Sequence, residues 1–159
     1  MGLEGIQARV EATDAVWQWV VLLVGGAIPF VESYGATAVG VVVGVPFAVS
    51  LVAAVAGNVL SMVLVVTAGD AVRRRLRSRR EPRPPSPRTE KLRRRFDRFG
   101  VPGVSLLGQT VLPSQITSGA LVAFGADRRQ VVLWQVVSIV LWGLAFGGLA
   151  TAGLYAVEG

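Results

Sequence analysis

The 159-residue sequence contains neither cysteine nor histidine. Without Cys there are no disulfides, thiolate metal ligands, iron–sulfur ligands or thiol nucleophiles, and without His there is no serine triad of the usual kind and no imidazole ligand. Charge is scarce as well. Only 16% of the residues are Asp, Glu, Lys or Arg, where a soluble domain has about a quarter. No phosphate-cradling glycine loop followed by Lys occurs. These absences exclude most soluble-enzyme chemistry, so no metal, no cofactor and no enzymatic activity are expected. The length allows one domain at most, with no room for an appended nucleotide-binding unit.

What is present is apolar: 52% of the residues are hydrophobic. The few charges are segregated. Residues 70–100 hold 13 of the 16 Lys and Arg together with four acids, a net of +9, and the rest of the chain carries three bases and six acids, a net of −3. Such a split places apolar blocks in lipid and one basic segment in water. Nucleic-acid binding is not expected, because no aromatic stacking platform accompanies the bases.

Four stretches are free of charge: 15–31, 33–69, 101–126 and 130–157. A helix needs about 20 residues to cross a bilayer. The first stretch does not read as a secretory signal, since Glu4, Glu11 and Asp14 outnumber Arg9 before it, and it should persist in the mature protein. Pro46 divides the second stretch, because the residue before a proline is pushed out of the helical region. Residues 47–69 then form one full span. Residues 130–156, with Trp134, Trp142 and an interfacial Tyr155, form another.

The remaining regions are broken. Pro29, Glu32 and Gly35 interrupt 15–45, and Pro113 interrupts 101–126 amid Gln109, Thr110, Ser114, Gln115, Thr117 and Ser118. Each half is too short to cross comfortably, so both regions read as re-entrant hairpins with polar tips. The expected fold is an all-α integral membrane domain over 1–159, built as inverted repeats, each a re-entrant helical hairpin followed by a transmembrane helix. The basic loop at 70–100 should stay cytoplasmic. A hairpin returns to its starting side, which leaves Glu4, Glu11, Asp14 and Glu158 outside and Arg128 and Arg129 inside.

The string IPFVESYGATAVGVVVGVPF at 28–47, followed by Gly57-Asn58, resembles the first half of the small multidrug export protein family, and LPSQITSGALVAFG at 112–125 with Trp142-Gly143 resembles its second half. More distantly, the plan resembles the DedA (VTT) superfamily of lipid-handling membrane proteins. The resemblance implies a transporter of the plasma membrane. The family pattern places Leu-Arg after the acid, where this chain has Ser33-Tyr34, so Glu32 lacks that adjacent cation.

Glu32 is the one carboxylate between Asp14 and Asp70. A charge in lipid costs at least about 2.5 kcal/mol. Two readings are open: a buried acid that exchanges protons, since desolvation disfavours the charged carboxylate, or a residue at a shallow turn facing water between two separate spans. The Gln109, Thr110, Ser114, Gln115, Thr117 and Ser118 cluster either meets a substrate or the acid, or satisfies carbonyls freed by Pro113. Asn58 is a site ligand or interhelical glue.

Gly143, Gly147 and Gly148 give the last span a small face for a close helix crossing, and a homodimer is expected from the few full spans. The basic loop, with Arg73, Arg74 and Arg75 at one end and Arg93, Arg94 and Arg95 at the other, should lie on anionic lipid, its proline-rich centre extended or disordered and its ends prolonging helices. The leading expectation is a small proton-coupled exporter of cationic or amphipathic molecules. Alternatives are movement of a lipid or polyprenyl phosphate between leaflets, and a membrane scaffold whose basic loop binds lipid.

Overall fold

A computed structural model of the chain describes residues 4, 15–76, 87–109 and 111–158. Thr110 and the proline-rich centre of the basic segment lie outside the described residues. Six helices are present among them: α1 (Ala15–Ala27), α2 (Glu32–Val42), α3 (Phe47–Leu76), α4 (Pro87–Gly108), α5 (Ser114–Ala123) and α6 (Arg128–Glu158). Two contain segments long and apolar enough to cross a bilayer, Phe47–Ala68 in α3 and Arg128–Val157 in α6. At 1.5 Å per residue, α1 and α2 reach only about 20 Å and 17 Å, short of the roughly 30 Å hydrocarbon core.

The helix boundaries follow from local chemistry. Pro29 lies in the link between α1 and α2, Pro46 immediately precedes α3, and Pro113 immediately precedes α5, each where a missing N–H and a fixed φ are tolerated. The ends of the basic segment do prolong helices: α3 continues to Leu76 and α4 begins at Pro87. Within α4, Gly100 leaves helical geometry (φ 64°, ψ −169°) and separates an amphipathic first part from the apolar Val101–Gly108 piece.

Helices α2 and α5 end in the same way. Val45 N–H donates to Gly40 O (2.8 Å) and Gly44 N–H to Val41 O (3.0 Å), and likewise Ala126 N–H donates to Leu121 O and Gly125 N–H to Val122 O (both 3.1 Å). These are paired Schellman bonds, and the residues at their left-handed positions are Gly44 (φ 86°) and Gly125 (φ 100°). Asp127 then starts α6, its Oδ1 accepting the Gln130 N–H at 3.0 Å. Asp127→Ala should lower stability by about 1 kcal/mol through loss of this cap, read as a lower unfolding midpoint in detergent.

The chain divides into two compact units, and α3 and α6 each run through both. One unit comprises Met1–Ser61 and Val137–Gly159, the other Met62–Val136. In the first, α1 packs against α2, and Leu22, Val31, Ala36, Val39, Val45, Ala53 and Ala54 form the apolar core. In the second, the α4 and α5 pair encloses Leu92, Val101, Val104 and Leu121 with Val131 of α6.

Beside these apolar cores, polar side chains are buried and large apolar ones exposed. Leu60 and Leu64 of α3 and Leu133, Leu141 and Leu149 of α6 are exposed, whereas Glu32, Asn58, Gln115 and Gln135 are buried. Isolated exposed apolar residues need no explanation, but whole apolar helix faces combined with polar interiors indicate association with lipid.

Candidate functional site

In the first unit the chemistry centres on Glu32. Its side chain is fully buried, and among the described residues it is the one buried group of ionisable type. The carboxyl is enclosed by protein, so the alternative of a turn open to water does not describe it. The turn that delivers it is unusual: Glu32 sits at φ 52° and Phe30 at φ 72°, in the left-handed region that costs a non-glycine residue about 1–2 kcal/mol. Glu32 N–H donates to Ile28 O at 3.1 Å and Gly35 N–H to Val31 O at 3.0 Å, so a compact turn holds both strained residues. Phe30, 68% exposed, points outward while Glu32 points in.

Polar partners fix the start of α2 against α6. Ser33 Oγ donates to the Ile139 carbonyl at 2.7 Å across 106 positions of sequence, and Thr37 Oγ1 donates to Ser33 O at 2.6 Å. The contact is possible because α6 presents glycines there. A Cβ on Gly143 would meet Leu51, Val55 and Ser33, and one on Gly147 would meet Thr37 and Phe47. The small face expected on the last span is therefore used for a close crossing inside the chain, except Gly148, which has open space around it. Asn58 and Ser138 are fully buried in the same unit. Beside Asn58, the Gly57 Cα faces the Leu23 carbonyl.

The second unit also buries polar side chains. Val104 of α4, Leu121 of α5 and Val131 of α6 belong to one apolar cluster. The same unit holds Gln109, Ser118 and Gln135. All three are buried, Gln109 at 7% exposure and the others fully. Both amide atoms of Gln109, both of Gln135 and the Ser118 hydroxyl have no hydrogen-bond partner among the described residues. Ser105, Ser114, Gln115 and Thr117 are buried as well. Ser114 Oγ donates to Gln115 Oε1 at 3.4 Å, a bond between side chains, whereas Thr117 Oγ1 donates to the Leu112 carbonyl at 3.5 Å and so serves the backbone beside Pro113. The Gln109, Ser118 and Gln135 groups do not serve that purpose.

Five of the six expected site residues, Glu32, Asn58, Gln109, Ser114 and Gln115, are buried, the first two in one unit and the other three in the other. Thr110 lies outside the described residues. Sequence reading passed over Gln135 and Ser138, whose signal was available: two hydrogen-bonding side chains three positions apart in the middle of an apolar run share one helix face. On the basic segment, Arg94 pairs with Glu90 at 3.8 Å and Arg93 lies over the Phe124 ring, 5.5 Å from its centroid. Arg95 is half-buried in the same helix. Arg73, Arg74 and Arg75 belong to the helical backbone of α3, but their side chains are outside the described set.

Comparison with protein-family models, curated proteins and solved structures finds no match. A buried amide without a partner carries a desolvation penalty of about 1–3 kcal/mol. Gln135→Leu should remove that penalty and raise stability by about 1 kcal/mol or more. The unfolding midpoint in detergent measures it, and a fall in stability would mean that the amide is satisfied.

Proposed function

We propose that this chain is a multi-pass protein of the plasma membrane, its basic segment cytoplasmic, that exports cationic or amphipathic small molecules in exchange for protons. The observation that carries this reading is Glu32: a fully buried carboxyl, presented by strained backbone at the turn between two helices too short to span. Strain and buried charge together oppose folding by several kcal/mol, and a group retained against both is a candidate for function. A carboxyl in such a place binds either a proton or a cationic solute, and exchange between them couples the two flows.

Three features support the transporter class. The helix order repeats as a pair of short apolar helical pieces (α1 with α2, and 101–108 of α4 with α5), a Schellman turn and a long apolar helix. The first unit joins one short pair to the start of α3 and the end of α6, and the second joins the other pair to the end of α3 and the start of α6, the reciprocal membership that inverted repeats would have. The amides of Gln109 and Gln135 offer donors and acceptors to a polar solute. The resemblance to small multidrug exporters points to the same class.

The test is reconstitution into liposomes with an imposed pH gradient. Proton-driven uptake of a cationic dye above that of protein-free vesicles is expected. Fluorescent-lipid movement between leaflets without dye uptake would favour the lipid-translocating alternative, and neither activity would leave the scaffold reading.

A further inference from the structure

An open groove of about 600 Å³ lies against the start of α6, lined by Arg128, Arg129, Val132, Leu133 and Val136. The spacing puts two guanidinium groups at one end and branched aliphatic side chains on the next two turns, a run of about 12 Å along the helix. We infer that this groove binds one anionic phospholipid, the two arginines taking the headgroup phosphate and Val132, Leu133 and Val136 taking the first part of an acyl chain. The inference uses the membrane location of α6 and is independent of transport.

Charge and shape both select this occupant. Guanidinium presents a planar fork that matches phosphate oxygens, and two adjacent ones favour an anion over a zwitterion. No acid lines the groove. The neighbouring Asp127 carboxylate already accepts the Gln130 N–H at 3.0 Å, so it is committed to the helix cap. The arginines stand where the charge-free run of α6 begins, the level at which headgroups meet hydrocarbon. A soluble anion would leave the apolar floor unused, Leu133 being 60% exposed.

The test is native mass spectrometry of the full-length chain in neutral detergent, titrated with dioleoyl phosphatidylglycerol or dioleoyl phosphatidylcholine. Retention of the anionic lipid should exceed that of the zwitterionic one by about tenfold. Arg128→Gln with Arg129→Gln should erase most of the preference, the charge-keeping Arg128→Lys with Arg129→Lys should retain most of it, and Arg93→Gln with Arg94→Gln, on the basic segment, should lower it by less than half. Circular dichroism confirms the fold of each variant. The proposal is overturned if the Arg128/Arg129 glutamine pair keeps the preference, if the Arg93/Arg94 pair loses it equally, or if inorganic phosphate displaces the lipid.

Discussion

Gly57→Ala should destabilise the protein by about 3 kcal/mol or more, enough to remove much of the 5–15 kcal/mol typical of a folded domain. A methyl group at this position would overlap the Leu23 carbonyl and come within 3.2 Å of the Ala27 nitrogen. The reciprocal contact is as tight, because a Cβ on Gly26 would strike the Ala54 carbonyl and lie 2.9 Å from the Ala54 Cα. Backbone meets backbone here, so no side chain can rotate away and the two helices must separate. Overpacking usually costs about 1–3 kcal/mol, and this contact belongs at or beyond the upper end. Gly148→Ala is the matched control. Nothing lies within 4 Å of its Cβ position, so relief of glycine's poor helix propensity should stabilise the protein by up to about 1 kcal/mol. Denaturant unfolding in micelles, followed by helicity, reads both changes, and equal effects of the two substitutions would contradict the packing.

Glu32→Gln should separate stability from activity more completely than any other single change. The amide keeps the shape of the side chain and removes a group whose charged form costs about 2.5–3.5 kcal/mol to bury on insertion scales. The variant is therefore expected to be at least as stable as the parent and to lose proton-driven uptake altogether. A structural role would give the opposite pair of results, lower stability with residual uptake. Glu32→Gly tests the backbone separately: it relieves the strain at φ 52° while also removing the carboxyl, so it should be inactive too.

Much of this architecture is legible in the sequence because its determinants are local. The absence of charge over 47–69 and 130–156 anticipates the two long helices, and Pro29, Pro46 and Pro113 mark the links and starts observed. The long helices overrun those limits: α3 continues to Leu76 because Arg, Ala and Leu are good helix formers and basic residues suit a helix C-terminus, and α6 begins at Arg128 because Asp127 caps its first turn.

Other features depend on partners far away in the chain. The bond from Ser33 to the Ile139 carbonyl joins residues 106 positions apart, and nothing near Ser33 announces it. The left-handed backbone of Glu32 and Phe30 is imposed by a turn whose residues would otherwise avoid it. The break at Gly100, by contrast, falls where the charged loop is expected to end and the charge-free stretch 101–126 to begin. Gln135 is likewise legible, since an amide in an apolar run is visible from the sequence alone.

Differential carbodiimide labelling of proteoliposomes tests the central claim most directly, because these reagents add to protonated carboxyls and leave a stable N-acylurea that peptide mass spectrometry locates. An apolar carbodiimide should modify Glu32, with labelling slowed by a transported solute, whereas a water-soluble carbodiimide should modify Asp127 and spare Glu32. Modification of Glu32 by the water-soluble reagent at a rate like that of Asp127 would place the carboxyl in open solvent and contradict the account.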